Sequence, residues 1–536
     1  IRETKSKHCY PCPQNAVCKS GKIDTLPNYW GYVYEGHLMV ITCTFKYCCQ
    51  NSPCNGYSSC DTDREGLLCS KCKAGYALSL ASNDCLLNSM CETYLVILYF
   101  LFNIFGSTIF LLFRNEVVLK VTNYLKFIMD KMKIIYAHKH LLTNKQKLKN
   151  SPIDENITQS RKAEGAPLFI TLFGFWQIFI YHLQDIYLQF HNIKSIQVQQ
   201  LYNDKDILHV MKPLFELAIF IPSDICFVNL TTILKSVITL AFCTALACSF
   251  SVPIIFIYLL KYTNIKNIHA EVWKGRFCLT ILLALMYSNQ KVAIILCSFV
   301  QCLEIGSQKH LFICAETECW QIWQKAVIIY IILVIIPKCL VFLTGPPLLH
   351  SKKIKSWQFL TALYCPLPFI SYWSYILHKN KITGPVQLHS YSATRNINFL
   401  HSLHSSDKIF PFFSWMGVIE IRRLLMVFCH VFVHDPIMKY SFLMLLSVVS
   451  FWWCIYVKPY KSNYFNMLCR TSFFFQTLVC IASLTIATVD AYIEDAKPIS
   501  PLYFILQIRY LSMFLVPFII CVVYSLFGGI KNENYT

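Results

Sequence analysis

The first 91 residues hold twelve of the chain's 27 cysteines, and apolar segments begin directly afterwards, at Tyr94. A crowded, even set of cysteines in a segment too short to bury much core reads as a disulfide framework made in an oxidising compartment. The rest of the chain reads as membrane-spanning helices, which puts the cysteine-rich part outside the cytosol. The framework is expected to comprise Cys9, Cys12, Cys18, Cys43, Cys48, Cys49, Cys54, Cys60, Cys69, Cys72, Cys85 and Cys91, with turns at the interspersed Gly, Pro, Asn and Ser. The CxxC pairs Cys9–Cys12 and Cys69–Cys72 keep zinc open as an alternative, but twelve cysteines exceed one four-ligand site. A rigid stalk is the plainest role for such a module, and ligand binding the sharper one.

With 55% hydrophobic and only 14% charged residues, the balance suits burial in a bilayer better than a soluble globule. The formal charge of +19 resides mainly in loops between apolar stretches, as the positive-inside rule produces, and no nucleic-acid recognition module accompanies it. The chain opens on Ile1 without a leader pattern, which is read as a processed or truncated amino terminus.

Nine stretches are long and apolar enough to cross a membrane: 94–113, 167–188, 233–259, 277–300, 324–346, 411–433, 440–457, 465–489 and 502–527. The expected fold is therefore an all-α polytopic bundle of about nine transmembrane helices carrying a small extracytoplasmic module, in the plasma membrane or secretory pathway. Its parts are the module (1–91), five helices (94–346), a connection (347–410), four helices (411–527) and a cytosolic tail (528–536). The cytosolic linker 114–166 carries eleven Lys or Arg against five Asp or Glu, and the connection bearing Asp490, Glu494 and Asp495 falls outside, as this topology requires.

Residues 357–378 are also apolar, but Pro366 and Pro368 break them and a tenth span would invert the later loops, so they read as interfacial or re-entrant. The sequon at Asn229 lies in a predicted outer loop and is a glycosylation site, whereas those at Asn156 and Asn534 fall inside. One disulfide is expected among Cys302, Cys314 and Cys319, with Cys226 as partner for the third.

Ionisable groups inside spans are expensive and point to function. Ser288, Asn289, Gln290 and Lys291 interrupt the fourth span, and Lys291 stands out as a cavity or ligand position, or else a cation paired with a carboxylate. On the second span Gln177, Tyr181, Gln184 and Asp185 share one helix face. Asp185, near the predicted outer end, is a partner for Lys291 or an interfacial group. In the sixth span Glu420 and Arg423 lie three residues apart and are expected to pair, with Arg422 beside them. Arg470 and Arg509 read as packing or headgroup contacts, and Pro253, Pro337 and Pro517 as kinks.

No phosphate-binding loop, HExxH or GxSxG motif occurs, so neither catalysis nor a cofactor or metal is expected. The stretch from Arg64 to Cys72, continuing to Tyr76 and Cys85, resembles EGF-like repeats. In the carboxyl-terminal half, Phe412-Phe-Ser-Trp-Met-Gly-Val-Ile-Glu420-Ile-Arg-Arg423, then Asp435-Pro436, Lys458-Pro459-Tyr460-Lys461 and Tyr464-Phe-Asn466 occur in order, with Phe175-Trp176-Gln177 upstream. Together they resemble an invertebrate family of cysteine-rich multipass membrane proteins, itself distantly similar to fungal TRP-like flavin-carrier proteins. The resemblance implies a nine-span bundle of TRP-channel-like ancestry and no catalytic residues. The expected function is thus a TRP-like channel or transport protein moving ions or lipid. Lys291 would repel cations, which suits anion or lipid movement better. A receptor or adhesion protein that binds an extracellular ligand, or a scaffold without transport, is the alternative.

Overall fold

A computed structural model describes residues 11–19, 21–44, 47–49, 54, 56–80, 83–91, 230–249, 288–350, 354–379, 414–460 and 463–492. It also describes positions 94, 97, 98, 101, 181, 182, 184, 185, 226, 281, 282, 285 and 286. The cysteine-rich module is a run of short antiparallel hairpins: β1 (Ala16–Lys19) with β2 (Lys22–Thr25), β3 (Tyr29–Tyr34) with β4 (His37–Thr42), β5 (Arg64–Glu65) with β6 (Lys71–Cys72), and β7 (Tyr76–Leu78) with β8 (Cys85–Leu87). Glu35 and Gly36 turn β3 into β4 with φ of 49° and 82°, the geometry a two-residue hairpin needs to match strand twist.

Disulfides supply what this thin core lacks, each contributing typically about 2–4 kcal/mol. Neighbouring cysteines pair in sequence: Cys12–Cys18, Cys43–Cys48, Cys49–Cys54, Cys60–Cys69 and Cys72–Cys85. Cys9 lies outside the described residues. Cys91 breaks the local pattern by bonding Cys226, 135 residues away. This corrects the expected use of Cys226 as a partner for the 302–319 loop. In that loop Cys302 bonds Cys319, and Cys314 stays a half-buried thiol pushed up in pKa by burial.

The loop is itself a three-stranded meander of β9 (Cys302–Ile305), β10 (Gln308–Leu311) and β11 (Cys314–Glu318). Ile305 and Ala315 enter the module's core beside Trp30, Tyr47, Cys48, Leu68 and Cys69. The module is therefore docked, and the chain carries β-structure beyond its first 91 residues.

Beyond these strands the described residues form the helices α1 (Thr232–Ser249), α2 (Ile322–Tyr330), α3 (Ile336–His350), α4 (Ser356–Tyr364), α5 (Pro366–Lys379), α6 (Trp415–Phe432), α7 (Pro436–Val457) and α8 (Asn463–Tyr492). Residues 288–298 are also helical. Among the described residues three stretches are long and apolar enough to cross a membrane, Ile322–Leu349, Pro436–Val457 and Asn466–Thr485, which fits an integral membrane protein. The first joins α2 to α3 through a π turn at Ile331–Ile335, where Ile336 N–H reaches back to Ile331. Pro337 comes at once after it: a proline has no N–H to donate and crowds the preceding turn, and the wider π turn accommodates it. Pro253 and Pro517 lie outside the described residues.

On α7, Met438, Phe442, Leu445, Val449, Trp452 and Tyr456 are exposed, while Lys439, Tyr440, Leu443, Ser447 and Cys454 are buried. Large apolar groups outside and polar groups inside is the pattern of a helix whose solvent is lipid. Residues 357–378 form two helices broken at Cys365, before Pro366. At 1.5 Å per residue α5 is about 21 Å long, short of the roughly 30 Å hydrocarbon core.

Two apolar layers organise the bundle. One contains Leu282, Met286, Phe342, Leu349, Phe359, Trp373, Trp415, Ile419, Cys454 and Phe473. The other contains Ala293, Leu296, Ile331, Ile335, Val427, Leu443, Cys480 and Ala487.

Candidate functional site

Between those layers lies a polar one. Along the sequence, Leu282, Leu285 and Met286 belong to the first apolar layer, Ala293, Leu296 and Cys297 to the second, and Asn289 and Gln290 fall between. The same order holds for α6, with Glu420, Arg422 and Arg423 between Ile419 and Leu424, and for α8, with Gln476 between Phe473 and Cys480. Asp185 and Gln184 reach this level from residues 181–185 through their bonds to the arginines, while Lys338 of α3 lies between Ile335 and Cys339 of the second apolar layer. All of these side chains are buried.

Arg423, 1% exposed, is the hub. Its Nη1 donates to Glu420 Oε1 at 3.0 Å and to Met286 O at 3.5 Å, and its Nη2 donates to Gln184 Oε1 and Gln290 Oε1. Its Nε lies 3.7 Å from Asp185 Oδ1, and its guanidinium sits over the Tyr181 ring at 4.5 Å. Arg422 donates to Asp185 Oδ2 and to Gln476 Oε1 and lies over Phe473 at 4.7 Å. Glu420 Oε2 accepts from Asn289 Nδ2 at 2.9 Å. Gln476 Nε2 donates to Asp185 Oδ2 at 3.4 Å and meets His182 Nδ1 at 2.9 Å, with Ser472 hydroxyl also on that ring nitrogen.

The Glu420–Arg423 pair is present, and Asn289, Gln290, Tyr181 and Asp185 join it in one network. One expectation is corrected. Asp185 is buried, and its described ion pairs run to Arg422 and Arg423 rather than Lys291. Lys291 is half-buried, and the network's carboxylates are taken by the two arginines and Asn289. Arg470 is half-buried, its Nε donating to Asn466 O at 3.1 Å. Gln177, Asn229 and Arg509 lie outside the described residues. Sequence reading missed His182, Lys338, Ser472 and Gln476. A polar residue at the centre of an apolar span was the available signal for Gln476, flanked as it is by Phe473–Phe475.

The module meets the bundle at one end. Tyr47, fully buried, approaches Thr232 Oγ1 at 3.2 Å and donates to Ile313 O at 3.4 Å, with the Arg64 guanidinium 3.8 Å from its ring. Burial pushes the Tyr47 phenol up and the Arg64 guanidinium down. Lys235 reaches Asn83 Oδ1 at 3.4 Å, Ser79 bridges Cys226, and Leu78 and Leu80 pack on Leu230. From the loop side Gln301 Nε2 donates to Val431 O at 2.6 Å, and Phe312 meets His434 edge to face.

Among the described residues no group of three or more His, Cys, Asp or Glu is arranged to hold a metal. Comparison with protein-family profiles, curated proteins and solved structures finds no match for the chain.

Proposed function

We propose that the chain is a multipass membrane transport protein of the TRP-like channel class, with about nine spans and its cysteine-rich module outside the cytosol. The observation that carries this reading is the polar layer, in which Asp185, Glu420, Arg422 and Arg423 are linked across helices between two apolar layers. Charges at such depth are retained at a cost and mark ion pathways and relays in membrane proteins. The directions of five described helices agree with the fourth to eighth of these spans. The 288–298 helix, α6 and α8 run from the first apolar layer to the second, whereas α3 and α7 run the opposite way. This is the alternation that consecutive spans require, with no additional full crossing between α3 and α6.

Conduction requires the network to open, because here both arginines are closed over by carboxylates and amides. The second reading is a receptor or adhesion protein. It draws on the docked module, whose contacts with Thr232 and Ile313 would carry an extracellular event into the helices.

Whole-cell current separates the two. Surface-expressed wild type should carry a current at rest or under osmotic stretch, and the neutralised pair Asp185→Asn/Arg422→Gln should change its selectivity or opening. Surface protein without current in either condition would turn the assignment to the receptor class.

A further inference from the structure

We infer that acid opens the polar layer through His182, an inference that rests on the transport reading and names how that site is regulated. His182 is buried, and its Nδ1 meets the Ser472 hydroxyl and, at 2.9 Å, Gln476 Nε2. Two anchors fix which way the Gln476 amide points. Arg422, which can only donate, bonds Oε1, and Asp185 Oδ2 accepts from Nε2 at 3.4 Å. The amide therefore presents N–H to the ring, so Nδ1 is an acceptor and the imidazole carries its one proton on Nε2. This arrangement holds the neutral ring and cannot hold the imidazolium.

A second proton would turn Nδ1 into a donor. The Ser472 hydroxyl can rotate to accept from it, but the Gln476 N–H cannot. Turning the amide over satisfies the ring, yet sets its NH2 against Arg422 Nη2, donor to donor, and gives up the bond to Asp185. Either way Arg422 loses Gln476, one of the amides that close over it. Among the described residues, the groups that face the ring are Ser472 and Gln476 of α8 and Arg422 of α6, whose positive charge acts on it. Cys469 stands one turn before Ser472 on α8, within reach of the same Arg422 charge. On its own segment Tyr181 faces Arg423, and Asp185 is bonded to Arg422 and linked to the ring through Gln476.

The closed layer thus takes the neutral ring, whereas a ring met by water titrates as an ordinary histidine, at about pH 6.5. Opening takes up a proton, so it is favoured as pH falls through that value and disfavoured as pH rises. With the open state alone protonated, the open-to-closed ratio grows on the order of 10-fold from pH 7.5 to 5.5.

The test uses the full chain in phosphatidylcholine nanodiscs, oxidised by a brief pulse of hydroxyl radicals at pH 7.5 and 5.5. Met286 and Met426, both buried, flank the polar layer and report water inside it by conversion to sulfoxide. Met39 and Met90, exposed on the module, calibrate the dose. Relative to them, wild-type oxidation at Met286 and Met426 should rise at pH 5.5 by up to about 10-fold. His182→Gln, which cannot titrate, should label equally at the two pH values. Equal wild-type labelling at both values overturns the inference without recourse to any variant. A rise that persists in folded His182→Gln places the acid response elsewhere and overturns the role of His182. Current recorded at the same two pH values separates this inference from the transport reading. Acid-dependent labelling in surface protein that carries no current keeps the switch and removes transport. Current in a protein whose labelling ignores pH removes the switch alone.

Discussion

Arg423 has its guanidinium enclosed by Glu420, Gln184, Gln290, Met286 O and the Tyr181 ring, and Arg422 depends on Asp185 and Gln476. A buried ion pair adds little against a well-packed apolar substitute, but removing one partner strands the other and costs about 3–5 kcal/mol. Asp185→Asn keeps the shape of the side chain and removes the charge that both arginines share. It should lower the unfolding midpoint of the purified protein sharply, and adding Arg422→Gln should recover much of the loss. A double variant no more stable than Asp185→Asn alone would mean that the Asp185–Arg422 pair contributes no coupling. A thiol gives a second test at this scale. Cys314 is half-buried and its pKa is raised, so in the folded protein it should alkylate slowly at neutral pH, while Cys302 and Cys319 should appear only as a linked peptide. Rapid labelling of Cys302 or Cys319 by mass spectrometry would contradict that pairing.

At the scale of elements, α6 lies so close to α3 that only glycine fits at their crossing. A Cβ on Gly417 would stand 2.2 Å from Leu343 Cα and 2.4 Å from Leu343 N. Backbone cannot swing aside, so Gly417→Ala should force the helices apart and cost about 1–3 kcal/mol. Gly345→Ala meets the Phe359 ring at 2.4 Å, and because a ring can rotate it should cost less. The reverse ranking in thermal unfolding would count against this packing. Much of the helical architecture was legible because spans are a matter of local composition. The stretch read as 440–457 is helical from Pro436, since Asp435 caps the Met438 N–H and a proline suits the first turn. Lys439 hid that first turn from a reading based on apolarity, because its ammonium turns inward to His430 O. The three charges of α6 interrupt its apolarity in the same way, and their meaning came only from Asp185, 237 residues from Arg422 in the chain. The 302–318 meander was not legible at all: its strands are polar on one side and owe their other side to Trp30, Tyr47 and Leu68.

Considered whole, the molecule has its module built into the bundle's end rather than raised above it. Ile305 and Ala315 complete the module's core, Gly306 N–H donates to Tyr32 hydroxyl at 3.3 Å, and the Cys91–Cys226 bond ties the module's last residue to the approach to α1. A stalk would leave the helices indifferent to changes in the module, but a docked module cannot. Tyr47 is the residue on which this turns, since its ring lies in the module's core and its hydroxyl touches Thr232 and Ile313. Tyr47→Phe keeps the ring and removes both polar contacts, a change worth about 1 kcal/mol per hydrogen bond. Amide exchange followed by mass spectrometry should therefore quicken in 302–318 and the first turn of α1, while β1 and β2, held by their own disulfide, exchange as before. If exchange quickens only within residues 11–91, the module is an independent unit and its contacts with the bundle carry no free energy. If it quickens across the interface, an event at the module's surface reaches α1 through one hydroxyl, which is the coupling that either a gated transport protein or a receptor needs.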